Sequence, residues 1–402
     1  MKPKGLFFNI PGYGHVNPTL PMVKELVDRG EQIDYCCTEE FRAMIERTGA
    51  RFIPLPEDMV YVTNEKFNLL EIFAELIERC YYILPALEQL ITQEGYEYLL
   101  VDMYTPWGRL LAEKLNLPIM VFFPSFALHP KLKEPFHSKW QLVTSFGTSF
   151  TNGLRLNKFY KKIQKEHAVP TVNFLDYLVA EIDAPCITFT AQEFQPQRAL
   201  FSKNYLFTGP NINVDVRLPD LNFPMEKLEG KTVIYISLGS VVVRRDFIKT
   251  CIKAFDGSDY VVVLNISKSY KKEEFVAPSN VILCNFAPQL EILAKADLFV
   301  THGGMNSTHE GIFFEVPLVV VPQGGDQFLV AQTVEYNKLG KWLNHKRLSP
   351  EKLLRTVEEL IADKQTKQNL KEMSQALKNA GGYLKAADEV QAFINRALKT
   401  NN

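Results

Sequence analysis

Short apolar runs recur along this chain, and helix-length amphipathic segments fill the intervals between them. In the first half the runs span residues 5–10, 32–37, 51–55, 98–102, 119–123, 186–190 and 205–208. Each is too short for a helix and mostly apolar, the pattern of a strand buried on both faces. Residues 18–29 carry Val23, Leu26 and Val27 at helical spacing, and Gly30 suits a left-handed C-terminal cap. Residues 39–47 repeat this before Gly49, and 66–93 form a long stretch in which Pro85 should kink or break a helix. Continuous strands alternating with helices imply an α/β protein with a parallel sheet covered on both faces.

The alternation lapses once and restarts. Residues 211–230, "NINVDVRLPDLNFPMEKLEG", carry prolines, Asn and Asp with little periodicity, the composition of a linker. Runs at 232–238, 260–266, 281–284, 298–301 and 318–321 follow. The expected organisation is a domain at 1–212, a linker at 213–230, a second α/β domain at 231–382, and an amphipathic C-terminal helix at 383–402 able to pack back on the first domain. A length of 402 residues agrees with two cores. One segment breaks the pattern. Residues 127–150, "ALHPKLKEPFHSKWQLVTSFGTSF", have aromatics and prolines but no period, which suits a binding loop or a plain insertion.

Composition removes several classes of function. A formal net charge of −1 gives no bulk attraction to nucleic acid or to an anionic membrane. The six cysteines form no C-x-x-C pair and read as buried, reduced thiols of a cytoplasmic protein. The N-terminal apolar run is too short for a signal-peptide core, and no run of about 18 apolar residues exists to insert in a membrane.

The first run enters "FNIPGYGHVNPTLP", residues 8–21. A dinucleotide fingerprint needs G-x-G-x-x-G; Gly12 and Gly14 fit, but position 17 is Asn, and no acid ends the second run. Asn17 and Pro18 read instead as the cap and first turn of a helix, with His15 just ahead of it. A loop histidine is commonly structural. Asp102 ends another run, however, and strand ends of one parallel sheet share an edge. A carboxylate on one ring nitrogen would fix the tautomer and leave the other nitrogen to take a proton.

The densest signal lies at residues 285–327: "NFAPQLEIL", "FVTHGGMNSTHEG" and "VPLVVVPQGGDQ". In "THGGMNSTHE" a strand turns through two glycines into a helix, offering backbone N–H groups, hydroxyls and a positive dipole end, as a nucleoside diphosphate requires. "YISLGS", residues 235–240, is a second such turn. His302 and His309 are spaced poorly for a metal site, and there is no Asp-x-Asp pair.

These stretches resemble the UDP-glycosyltransferase family, in particular its bacterial macrolide and flavonoid branch, over nearly the whole chain. The resemblance implies the GT-B fold: two Rossmann-like domains with parallel sheets facing across a cleft, the acceptor on the first and the nucleotide sugar on the second. It implies transfer with inversion from a UDP-sugar, most simply UDP-glucose, to a hydroxyl of a hydrophobic small molecule, with no cofactor or metal. By matching motif positions, His15 would be the base and Asp102 its partner. Phe286 would stack on uracil and Ala287 contact it through its backbone. Gln289 and Glu310 would hold the ribose. Ser240, His302, Gly304, Asn306 and Ser307 would surround the diphosphate. Gly325, Asp326 and Gln327 would face the sugar. Met305 stands where plant members carry Trp. For the acceptor wall the aromatic candidates are Phe67, Phe73, Phe122, Phe126, Trp140 and Phe146, each of which could equally be core. The alternatives are a UDP-sugar 2-epimerase or a lipid-linked GlcNAc transferase on the same fold, or a nucleotide-sugar binding protein without catalysis.

Overall fold

The structure, a computed structural model, describes residues 2–55, 69–129, 131, 150–167, 169, 182–213, 223–239 and 244–399. Two compact units emerge. Of the described residues, those up to 213 and from 379 onward form the first, and 223–239 and 244–378 form the second.

The first unit holds β1 (Lys4–Phe8), β2 (Gln32–Cys37), β3 (Arg51–Pro54), β4 (Tyr98–Asp102), β5 (Ile119–Phe123), β6 (Cys186–Thr188) and β7 (Tyr205–Phe207). They form one parallel sheet in the order β3-β2-β1-β4-β5-β6-β7. Side chains alternate between its faces. Leu6 and Phe8 enter the core beneath helix Leu69–Glu94, and Phe7 enters the core on the opposite face. Both faces are therefore apolar, which is why the strands read as unbroken runs. The strand order reverses between β1 and β4, and ligands bind open α/β sheets outside the carboxyl ends at such a point.

The second unit repeats the plan with β8 (Val233–Ser237), β9 (Val261–Asn265), β10 (Val281–Cys284), β11 (Leu298–Thr301), β12 (Leu318–Val320) and β13 (Gly340–Trp342). Its parallel sheet runs β10-β9-β8-β11-β12-β13, and the order reverses between β8 and β11.

Some expectations need correction. The first helix spans Tyr13–Asp28 with Gly12 as its N-cap, so Asn17 is not a cap and His15 lies inside the first turn. Pro18 and Pro21 are interior residues. Helix Leu69–Glu94 runs through Pro85 without a break; that proline lies on the exposed face. Gly30 does adopt the left-handed cap, at φ 81°. Its N–H bonds the Val27 carbonyl, and the Glu31 N–H bonds that of Leu26. Most of the irregular 127–150 segment lies outside the described residues, as do Phe67, Trp140, Phe146, Ser240 and the side chain of Phe73. The six cysteines are buried thiols with no disulfide among them. Among the described residues no helix is long and apolar enough to cross a membrane.

Candidate active site

β1 and β4 are neighbours, with Phe8 opposite Val101, so the chain leaving β1 passes over the end of β4. Asp102 is the last residue of β4. Its Oδ2 meets His15 Nδ1 at 2.9 Å, and its Oδ1 accepts the Tyr104 backbone N–H at 2.8 Å. The Thr105 N–H and hydroxyl both donate to the Asp102 carbonyl. Every oxygen of the aspartate is thus engaged, and the carboxyl cannot turn away from the imidazole. The acceptor on Nδ1 assigns the ring proton to that nitrogen and leaves the Nε2 lone pair available. The Tyr104 ring meets the imidazole edge-on, 5.2 Å between centroids. The His15 side chain is 20% exposed against 1% for Asp102, so a ligand can reach the histidine while its partner stays dry.

The two glycines beside His15 leave room around it without being needed for the turn. Gly12 is extended at φ −164°, and a Cβ there would make an ordinary 3.5 Å contact with His15 Cδ2. A Cβ on Gly14 would meet nothing within 4 Å. Neither glycine is required by the turn, and the space beside the histidine is open.

In the second unit His302 follows β11 at the corresponding switch point. Its imidazole is lodged between two glycines. A Cβ on Gly239 would lie 2.8 Å from His302 Cε1, and one on Gly304 would lie 2.4 Å from Nε2. Gly239 also has φ +77°, a backbone that side chains rarely adopt. His302 Nδ1 is buried with only a poorly aligned approach to the Ser237 backbone, while the ring as a whole keeps an accessible edge. Burial lowers its pKa to about 4, against a smaller opposing influence from the Ser237 backbone. The imidazole is therefore neutral at pH 7. Gly304 is the N-cap of helix Met305–Phe313, whose first turn carries Asn306 and Ser307, both half-buried.

The residues assigned to the ribose come together. Gln289 Nε2 donates to Glu310 Oε2 at 2.5 Å and to Ser307 Oγ at 3.2 Å, while Tyr235 Oη donates to Gln289 Oε1 at 3.1 Å. Phe286 follows β10 and is 53% exposed, a large aromatic face with no place in the core, whereas Ala287 is buried. Asp326 is exposed at the N-cap of helix Gln327–Tyr336, and Gly325 is buried at φ 58°. Gln327 has a structural task. Its Oε1 accepts the Gln323 N–H at 2.8 Å and the Gly324 N–H at 3.3 Å, which shapes the loop.

Two acceptor candidates are core residues. Phe122 is fully buried between Phe7 and Phe189, with centroids at 5.0 and 5.8 Å. Phe126 is buried against Phe194 at 5.4 Å. Strand β5 is buried on both faces, so its aromatics fill the core. The sequence reading also missed a residue in its own opening motif: Asn9, fully buried, donates to the His15 carbonyl. The signal was a polar residue inside an apolar run.

Two Rossmann-like units of this kind, one carrying a His–Asp pair and the other a glycine-flanked helix start with an exposed aromatic, define a nucleotide-dependent group transferase. Residues 224–380 match the family model for UDP-glucoronosyl and UDP-glucosyl transferase. A Bacillus subtilis protein named as an uncharacterized UDP-glucosyltransferase, YojK, is 31% identical over 99% of this chain and 99% of its own length. Demethyllactenocin mycarosyltransferase from Streptomyces fradiae is 26% identical over 97% of this chain and 86% of its own. Among solved structures, the calicheamicin glycosyltransferase CalG4 superposes with a TM-score of 0.80 and 25% identity, covering 98% of this chain and 99% of that one. The chain belongs to the UDP-glycosyltransferase family, in its bacterial macrolide and flavonoid branch, and is a UDP-dependent glycosyltransferase with the GT-B fold.

Proposed function

We propose that the protein moves a hexose, glucose in the simplest case, from a UDP-sugar to a hydroxyl of a hydrophobic natural product, with inversion and without a metal ion. The observation that carries this reading is the 2.9 Å bond between His15 Nδ1 and Asp102 Oδ2 on an otherwise accessible imidazole. Nε2 takes the acceptor proton as its oxygen attacks the anomeric carbon, and the Asp102 carboxyl stabilises the imidazolium. The anomeric C–O bond to the diphosphate breaks and UDP departs. His302 and the start of helix Met305–Phe313 offset the charge that grows on the diphosphate.

Phe286 supplies a stacking face for uracil, and the Gln289–Glu310 pair supplies an acceptor and a donor for the ribose diol. Asp326, exposed at a helix N-cap, would accept from sugar hydroxyls, with Gly325 as a backbone contact. Glucose accords with the name of the 31% identical relative, and a natural-product acceptor with the mycarosyltransferase. The reaction belongs in the cytoplasm, where UDP-sugars are at hand.

The test is UDP release measured over a panel of phenols, macrolides and sterols with several UDP-sugars, with the product's anomeric configuration read by NMR. His15→Ala should lower kcat by about 10²- to 10⁴-fold while UDP still binds. Normal turnover in that variant, or activity lost on treatment with EDTA, would sink the corresponding part of the proposal.

A further inference from the structure

We infer that Asn9 is a positioning residue for His15, acting through a one-way chain of buried hydrogen bonds that ends on the first turn of the catalytic helix. This rests on the reading of His15 as the base. The chain begins at Asn9 Nδ2, which donates to the His15 carbonyl at 3.1 Å and to Tyr35 Oη at 2.6 Å. Tyr35 Oη lies 2.7 Å from Thr19 Oγ1, and Thr19 Oγ1 donates to the Val16 carbonyl at 2.8 Å. Asn9, Tyr35 and Thr19 are all sealed from solvent.

The directions follow from the acceptors at the ends. Only the amide N–H side of Asn9 can face the His15 carbonyl, which fixes the amide orientation. The Thr19 proton is committed to Val16, so the Tyr35 hydroxyl must donate to Thr19 and accept from Asn9. Burial raises the Tyr35 pKa well above its usual value, so that proton stays in place. The chain therefore clamps two successive carbonyls, those of His15 and Val16.

The clamp sits in a helix opening that its prolines weaken. Pro18 has no N–H to give the Gly14 carbonyl, and Pro21 has none for that of Asn17. The helix that carries His15 thus lacks two rungs of its own ladder within its first turns. The neighbouring His15 and Val16 carbonyls receive extra donors tied to the sheet, from Asn9 just after β1 and, through Thr19, from Tyr35 in β2. Asp102 approaches the same histidine from β4. His15 is held through its ring by Asp102 and through its carbonyl by Asn9, while Tyr35 secures the next carbonyl through Thr19.

The experiment compares Asn9→Ala, Tyr35→Phe and His15→Ala, alone and with Asn9→Ala added to His15→Ala. Thermal unfolding and UDP affinity are measured beside kcat, KM for the donor, and the pH profile of kcat. Asn9→Ala should lower kcat by roughly 10-fold or more, since a misplacement of about 1 Å can cost about 10²-fold. KM for the donor should hold, and the acid limb of the profile should move. Tyr35→Phe keeps the ring in the core and should show a smaller loss with the same displacement. Added to His15→Ala, the Asn9 substitution should cost nothing more. Unchanged kcat and pH profile in Tyr35→Phe, or a loss in Asn9→Ala matched by the loss of folded protein with the profile unmoved, would overturn the inference. Normal turnover in His15→Ala would overturn the base assignment instead, so the two failures are told apart.

Discussion

The His302 imidazole occupies a slot that exists because Gly239 and Gly304 have no Cβ. The dimensions make this testable one residue at a time. Gly304 has φ −63°, which alanine adopts freely, so Gly304→Ala adds only a methyl group 2.4 Å from His302 Nε2. The ring must move, while the backbone need not. A hydrogen bond to a charged group contributes about 1.5–3 kcal/mol, so its loss should weaken UDP binding by roughly 10- to 100-fold. The thermal midpoint should change little. Calorimetric titration with UDP checks this, and unchanged affinity would remove His302 from the diphosphate site.

At the scale of the element, the turn into helix Met305–Phe313 carries two titrating groups with the same bias. Burial lowers His302 to about 4 and His309 to about 3, and His345 is lowered as well. The folded-state values lie below the ordinary imidazole value of about 6.5, so the unfolded chain binds protons first as pH falls. The associated stability is fully present above pH 6.5 and is lost on acidification toward pH 4 and 3. His302 and His309 each cost at most about 1.4 kcal/mol per pH unit in that window, with His309 bearing more because His302 keeps one edge accessible. Thermal melts should be flat from pH 8 to 7 and fall steadily from 6.5 to 5. A midpoint that stays level to pH 5 would show that neither ring is held neutral. Legibility in the sequence also divides by element. Strands at 32–37, 98–102, 119–123, 281–284 and 298–301 were readable to the residue, because a strand covered on both faces is mostly apolar and a lone buried acid such as Asp34 does not interrupt the run. β13, "GKW", was missed: three residues with an exposed lysine at a sheet edge leave no apolar run. The start of helix Tyr13–Asp28 was misplaced because Pro18 resembles a first-turn proline. The His15–Asp102 pairing was legible because Asp102 ends one strand and His15 opens the helix that follows the neighbouring strand of the same sheet. The acceptor wall was not, because an aromatic in a buried strand looks the same as one lining a pocket.

At the scale of the whole molecule, the chain ends in the unit where it began. Helix Gly382–Lys399 follows all of the second unit in sequence, yet Ala386, Ala387, Val390, Phe393 and Ile394 lie in the core cluster of Leu20, Val23 and Leu26. Phe393 meets Tyr98 edge-on at 6.2 Å, and Arg29 bonds Asp388 at 2.6 Å and Gln391 at 2.8 Å. The chain is received at Thr208, whose carbonyl accepts the Gly382 N–H at 2.6 Å. Burial of the Val390, Phe393 and Ile394 side chains contributes roughly 5–9 kcal/mol as an upper bound, comparable with the about 5–15 kcal/mol that holds a whole domain. The exposed ion pairs add little beside that. A chain stopped after Asn379 should therefore lose the first unit, and the helix bearing His15 with it, while the second unit keeps its own core. The expected result is UDP affinity close to that of the full chain, no transfer with any acceptor, and rapid proteolysis within the first 213 residues. A truncated chain that still transfers sugar at the full rate would mean that the first sheet holds His15 against Asp102 without its last helix.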